Sequence, residues 1–201
     1  MDADIYGAYR APMSHVMDTL VRQIEAESRS EQGKRLYEHL LCRIKSDESM
    51  REKLRRSGLE ETAENALRSL TDSIGLRVVC RFIDDVYECV SRIRRIPGCV
   101  VVQEKDYIRD AKPNGYRSYH MILDITTPET DVTGQTPGHY FAEVQLRTIA
   151  MDTWAALEHE LKYKKAVDKP EMIAQELRRC ANELAACDVS MQTLRRIIRE
   201  L

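Results

Sequence analysis

The stretch Lys112-Pro113-Asn114-Gly115-Tyr116-Arg117-Ser118-Tyr119-His120 constrains the fold of this 201-residue chain more than any other. Pro113 fixes one turn dihedral, and Asn-Gly tolerates the positive φ that a tight turn needs. Alternation begins directly afterwards, so the segment reads as a turn feeding a strand over 116–126. On that strand Tyr116, Ser118, His120 and Ile122 share one face, while Arg117, Tyr119, Met121 and Leu123 share the other. A ring, a hydroxyl and an imidazole in a row can stack on a base and hydrogen-bond a sugar or phosphate. An ordinary hairpin with a half-polar face has the same pattern.

A strand needs partners, and the chain supplies them. Leu76 to Phe82 is a β-rich run between Gly75 and Asp84-Asp85, and further strands are expected over 99–107 and 139–147. Residues 36–45 read as either helix or short strand. Helical periodicity covers 12–41 with a break near Gly33 and Val16, Leu20 and Ile24 on one stripe. It recurs over 47–56, where Met50 and Leu54 interrupt charged residues, and over 60–70, 85–96 and 151–164. Thr127 to Gly138 holds Pro128, Gly134, Pro137 and Gly138, and reads as a loop. Strands mixed with helices imply an α/β (α+β) domain with a mixed sheet. At the C-terminus Ile173, Leu177, Cys180, Leu184, Cys187, Met191, Leu194, Ile198 and Leu201 recur in steps of three and four. This heptad seam fits either a helix packed on its own domain or helix-mediated self-association.

Composition narrows the function classes. Charged residues make up 32% and hydrophobic ones 43%, which argues against wholesale disorder. A net charge of −2 requires that any anion site be a local patch. No apolar run is long enough to span a membrane, and Met1 to Arg10 lacks a basic region followed by an apolar core, so a cytoplasmic location is expected. The six cysteines (Cys42, Cys80, Cys89, Cys99, Cys180 and Cys187) form no Cys-x-x-Cys pair and no zinc spacing. They read as reduced, mostly buried thiols.

Neither a Gly-x-x-x-x-Gly-Lys-Ser/Thr loop nor a Gly-x-Gly-x-x-Gly fingerprint is present. Side-chain cations would therefore have to neutralise any bound phosphates. From Lys34 to Arg56 there are eight Lys/Arg against four Asp/Glu. Arg43, Lys45, Lys53 and Arg56 are the candidates, with Lys53 and Arg56 one helical turn apart. A solvated charged helix is the alternative. Asp72, just before the strand that starts near Gly75, suits magnesium as well as it suits a cap or turn. Arg77 falls opposite the core and could stack on a purine or pair with a carboxylate. Glu143, Gln145 and Arg147 share one strand face. If that face is covered, a ligand or each other must satisfy them.

In order along the chain stand Asp72-Ser73-Ile74-Gly75-Leu76-Arg77, Asp106-Tyr107-Ile108, Lys112 to His120, Glu143-Val144-Gln145-Leu146-Arg147-Thr148, and Met151-Asp152-Thr153-Trp154-Ala155 with Glu158-His159. This series closely resembles the synthetase domain of the RelA/SpoT family, over about residues 35–165. None of the five histidines precedes an aspartate, so the hydrolase domain's His-Asp motif is absent, and the chain looks like a synthetase-only member. The resemblance implies a nucleotidyltransferase-like domain, a mixed five-stranded sheet flanked by helices. It divides the chain into an N-terminal helical segment (1–34), the synthetase domain (35–165) and a C-terminal helix with the heptad seam (166–201).

The implied activity transfers the β,γ-pyrophosphate of ATP to the ribose 3′-OH of GDP or GTP, making the alarmones ppGpp and pppGpp. By the same resemblance, Arg43, Lys45, Lys53 and Arg56 match cations around the ATP phosphates, and Arg77 matches the arginine against adenine. Asp72 and Glu143 match the carboxylates that bind Mg2+, with Glu143 also placed to take the 3′-OH proton. Tyr116 matches the tyrosine that stacks on guanine, and Lys112, His120 and Gln145 match positions near the acceptor. Ile74 departs from the small residue the family often has before that glycine. A homo-oligomer, such as a tetramer, is expected. Two other readings stay open: a same-fold enzyme acting on adenosine nucleotides or a tRNA 3′ end, and a non-catalytic RNA- or nucleotide-binding module.

Overall fold

A computed structural model describes residues 4–29, 33–163 and 170–201. Its centre is a five-stranded mixed sheet built from β1 (Tyr37–Ile44), β2 (Ile74–Cys80), β3 (Cys99–Asp106), β4 (Tyr119–Thr127) and β5 (Gly138–Thr148). The strand order is β1-β2-β5-β4-β3. Only β2 and β5 run parallel; the other three pairings are antiparallel. The ambiguous segment 36–45 is therefore a strand, because pairing with β2 satisfies a backbone that a helix here would have to cap.

Helix α1 (Arg10–Glu27) is shorter than its periodicity suggested, because Ser28 leaves helical geometry and its carbonyl accepts from Leu36 N, just ahead of β1. Helix α2 (Asp47–Arg56) begins at a Ser46 cap, where Oγ accepts from Ser49 N at 3.3 Å. Asp47 and Glu48 in its first turn and Lys53, Arg55 and Arg56 in its last complement the helix dipole. The helix expected over 60–70 is reduced to a wide turn, Asn65–Ser69, which ends as Leu70 turns extended towards β2. Helix α3 (Ile83–Ile93) follows β2, and α4 (Ile149–Tyr163) leaves β5 directly.

One apolar core joins Met13, Val16, Leu20 and Ile24 of α1, Met50 and Leu54 of α2, and Val86, Cys89, Val90 and Ile93 of α3. These pack against one face of the sheet, represented by Leu76, Val78, Met121, Leu123, Val144 and Leu146. Ile74 is fully buried in this core, so the departure at that position fills the core. The thiols are less buried than expected: Cys80 and Cys89 are buried, Cys99 and Cys180 are half-buried, and Cys42 and Cys187 are exposed. Cys42 lies on edge strand β1, and Cys187 on the outer side of the last helix, where no layer covers them.

The last helix, α5 (Pro170–Glu200), docks on the domain, and its heptad seam divides: Ile173, Leu177, Cys180 and Leu184 are half-buried, with Leu184 beside Trp154, while the C-terminal half turns outwards. Its buried positions are Ala181, Asp188 and Gln192, and Arg195 reaches Asp85 at 2.7 Å. Met191, Leu194, Ile198 and Leu201 of the seam point away and stay exposed. The expected boundary at 165/166 lies outside the described residues, as does the expected end of the helix at Lys164.

Candidate active site

Strand register assembles the site on the sheet face opposite the core. Opposed residues in a sheet point to the same face. Leu41 pairs with Arg77, Arg77 with Gln145, Gln145 with His120, and His120 with Lys105. The adjacent row runs Arg43, Gly75, Glu143, Ile122 and Gln103. Five strands thus bring residues from four separate sequence motifs into two neighbouring rows. Gly75 contributes no side chain between Arg43 and Glu143, and the space above it stays open.

Two clefts adjoin on this face. The first, about 230 Å³, is lined by Arg43, Lys45, Asp72, Gly75, Arg77, Glu143 and Gln145, among others. Here Lys45 Nζ stands 2.5 Å and Lys53 Nζ 2.7 Å from Asp72 Oδ2. Burial pushes the Asp72 carboxyl up, but the hydrogen bonds from Lys45 and Lys53 outweigh it and hold the group below the ordinary aspartate range. Among the described residues Asp72 Oδ1 is buried without a hydrogen-bond partner, as is Arg77 Nε. Arg77 Nη1 meets Asp152 Oδ1 at 3.2 Å. Arg56 stands apart from this group: it is 71% exposed, beside Glu52, and does not line the cleft. One turn from Lys53, it falls on the solvent side of α2.

The second cleft, about 240 Å³, is lined by Gln103, Lys105, Tyr107, Lys112, His120, Ile122 and Glu143. Tyr116 precedes β4 and belongs to the loop that leads into it, not to the strand. Within the turn Gly115 N donates to Lys112 O at 2.8 Å, and Gly115 alone takes positive φ, at +93°; Asn114 does not. Tyr116 Oη lies 2.8 Å from His120 Nε2. The rings of Tyr107 and His120 meet edge-on at 5.4 Å, and Lys112 Nζ sits 4.6 Å from the Tyr107 ring centre and 4.9 Å from that of Tyr116.

Glu143 lines both clefts. His120 Nδ1 stands 3.1 Å from its Oε1, and Gln145 Nε2 donates to Oε2 at 2.9 Å. Burial raises this carboxyl, yet the two hydrogen bonds prevail and keep it below the ordinary glutamate range. It is therefore an ionised acceptor between two polar clefts. Asp72 Oδ1 and Glu143 are the carboxylate oxygens that could hold a divalent cation. Among the described residues no group of three or more His, Cys, Asp or Glu surrounds such an ion. The set fits a cation that takes most of its oxygen shell from substrate and water, as magnesium does.

Two residues are more central here than their sequence signals suggest. Arg147 is 5% exposed and donates to Tyr116 Oη, Gln145 Oε1, Asp152 Oδ1 and Ser118 Oγ. Asp152, one turn into α4, accepts from both Arg77 and Arg147. Period-two alternation put Arg147 on the face of Glu143 and Gln145, but nothing in the chain said that a helix would close over it.

Paired clefts of this kind, one walled by cations and both sharing an ionised carboxylate, have the chemistry to take two phosphorylated ligands side by side. Residues 42–168 match the model of the region found in RelA / SpoT proteins, and the chain belongs to that family. It is 38% identical over 165 residues to the GTP pyrophosphokinase YwaC of Bacillus subtilis, covering 82% of this chain and 77% of that protein. With the GTP pyrophosphokinase YjbM of the same organism the identity is 32% over 163 residues, or 81% and 74% of the two chains. The crystal structure of small alarmone synthetase 1 from B. subtilis superposes with a TM-score of 0.80, at 28% identity, over 96% of this chain and 97% of that one. Its complex with its product pppGpp superposes at 0.75, with 30% identity, over 93% and 92%.

Proposed function

We propose that this protein is an ATP-dependent pyrophosphotransferase, a (p)ppGpp synthetase that moves the β,γ-pyrophosphate of ATP onto the ribose 3′-OH of GDP or GTP. One observation carries the reading: a single ionised carboxylate, Glu143, is shared by a cation-lined cleft and an aromatic-lined one. The first suits the triphosphate donor and the second the acceptor nucleoside. Pyrophosphoryl transfer asks little covalent chemistry of a protein; it asks for in-line placement and charge stabilisation.

In this reading Arg43, Lys45 and Lys53 hold the donor phosphates, and Arg56 swings in from α2 only when a triphosphate draws it. Arg77 stacks on adenine. Tyr116 stacks on guanine, the base displacing the exposed Lys112 ammonium from the ring while buried Arg147 stays. Lys112 then turns to the acceptor phosphates with His120 and Gln145 nearby. Glu143 takes the proton from the 3′-OH, which its depressed pKa permits throughout the neutral range. Mg2+ on Asp72 and Glu143 would supply charge neutralisation on the transferred group.

No helix among the described residues is long and apolar enough to cross a membrane. The reading places the enzyme in the cytoplasm as a homo-oligomer, joined through the exposed seam of α5. The decisive experiment supplies purified protein with ATP, Mg2+ and, separately, GDP, GTP, adenosine nucleotides and tRNA. A 3′-pyrophosphorylated guanosine nucleotide is expected, and absence of product with both GDP and GTP overturns the reading. Product on an adenosine acceptor alone would reassign the second cleft, and salt-sensitive RNA binding without turnover would make it a binding module.

A further inference from the structure

Arg147, Tyr116, His120, Glu143 and Gln145 close a hydrogen-bonded ring. Arg147 Nη2 lies 2.7 Å from both Tyr116 Oη and Gln145 Oε1. Tyr116 Oη lies 2.8 Å from His120 Nε2, and His120 Nδ1 lies 3.1 Å from Glu143 Oε1. Gln145 Nε2, 2.9 Å from Glu143 Oε2, completes the circuit. A hydroxyl can rotate, an imidazole has two neutral tautomers, and an amide can flip, so three members could take either direction. A guanidinium cannot, since it carries only donors and keeps its charge.

We propose that Arg147 is a positioning residue that, with the acceptor-only Glu143 at the opposite pole, sets the direction of every hydrogen bond in this ring, fixing the neutral His120 ring as the Nδ1–H tautomer and aiming two donors at Glu143. Along one arm, Arg147 donates to Tyr116 Oη, so the hydroxyl proton turns to His120 Nε2, its other hydrogen-bond partner among the described residues. Nε2 is then the bare nitrogen, and Nδ1 bears the proton donated to Glu143 Oε1. Along the other arm, the Gln145 atom facing Arg147 must be the carbonyl oxygen. Its amide nitrogen therefore faces Glu143 Oε2. The arms are independent and end alike, with one donor on each carboxylate oxygen and a lone pair left free on each.

The guanidinium is itself fixed. Nη1 donates to Asp152 Oδ1 at 3.0 Å and Nε to Ser118 Oγ at 3.4 Å. With Arg147 buried and each of its three guanidinium nitrogens engaged by the protein, it organises other side chains and is not a phosphate ligand. The consequence for catalysis, a carboxylate held in one orientation towards the acceptor hydroxyl, rests on the synthetase reading. The polarity of the ring does not.

The test is therefore made on the protein without nucleotide. Long-range 1H–15N correlation on 15N-histidine-labelled protein, at a pH where the ring is neutral, reads the tautomer directly, with the His120 signal identified by its loss in His120→Gln. A single Nδ1–H form is expected. Arg147→Met should change the tautomer ratio by roughly two- to tenfold, the size of one net hydrogen bond. Tyr116→Phe keeps the ring but removes the hydroxyl link, should do the same, and carries the test if Arg147→Met fails to fold. An Nε2–H form in the unaltered protein, or a ratio unmoved in the folded variants, overturns the proposal. If the tautomer is as expected but no pyrophosphate transfer occurs, the ring stands and the synthetase reading falls.

Discussion

Glu143 concentrates the chemistry of the site in one side chain. Replacing it with Gln keeps the size but removes the base, and we expect a loss of about 100- to 10,000-fold in kcat in a pyrophosphate-transfer assay, with thermal stability near that of the unaltered protein. Because burial is outweighed by hydrogen bonds from His120 and Gln145, the group is ionised down to pH values below the ordinary glutamate range. A pH–rate profile should accordingly show no acidic limb from Glu143 between roughly pH 6 and 8. Tyr116→Ala removes the stacking ring. At roughly 1–3 kcal/mol per stacked base, the KM for the guanosine acceptor should rise by about five- to 150-fold. The KM for ATP, measured in the same titrations, should change far less. At this scale much was legible: Glu143, Gln145 and Arg147 were visible as one polar strand face. What they bond to was not, because Asp152 and Ser118 reach Arg147 only through the fold.

Elements decide how those side chains are presented. The loop carrying Lys112 and Tyr116 leans on α5: Arg117 donates to Ala181 O and Asn182 Oδ1, and a Cβ at Gly115 would fall 2.6 Å from Ala181 Cβ. Gly115 also sits at φ +93°, which side chains disfavour. Gly115→Ala should thus cost about 1–3 kcal/mol in urea unfolding and raise the acceptor KM by displacing Tyr116. The 128–138 loop has its own hub. Asp131 Oδ1 accepts from Thr133 N and Oγ1 and from Gln135 N, and Oδ2 accepts from His139 N. Burial raises its carboxyl, but these bonds prevail and hold it below the ordinary range. A depressed folded pKa means that the stabilisation is complete above the unfolded value, about 4, and is lost as pH falls through the folded one. Asp131→Asn leaves a donor facing His139 N. It should destabilise by about 1–3 kcal/mol at neutral pH, the gap narrowing in unfolding curves taken at progressively lower pH. The heptad rhythm of α5 carries its helical periodicity, but not which half of the seam docks and which stays exposed.

Across the whole molecule, the C-terminal half of α5 is inverted relative to an ordinary surface helix. Its polar Asp188 and Gln192 are buried against the domain, with Asp188 Oδ2 accepting from Thr148 Oγ1 at 2.6 Å, while Ile198 is 71% exposed and Met191 and Leu194 lie beside it. A helix end that turns polar groups inwards and leaves the last part of its apolar stripe outside matches a surface that a second copy covers. Replacing Met191, Leu194 and Ile198 together with Glu should lower the mass measured by light scattering to that of one chain and leave far-ultraviolet circular dichroism unchanged. An unaltered protein that already runs as a single chain would contradict the oligomer reading.

By itself, the sequence determined which residue types could meet a nucleotide and which periodicities could place them. The Lys112–His120 turn, the alternation around Glu143 and the apolar stripes of α1 to α3 are local signals, carried by dihedral preference and by the two- and 3.6-residue repeats. Tertiary structure decided three things. Strand order and register put Glu143 between Gly75 and Ile122, and so between two clefts. The packing of α4 brought Asp152 to Arg77 and Arg147. The docking of α5 chose polar Asp188 and Gln192 over the C-terminal half of its apolar seam. Each of these depends on groups far apart in the chain competing for one buried surface, and local patterns carry no record of which competitor wins.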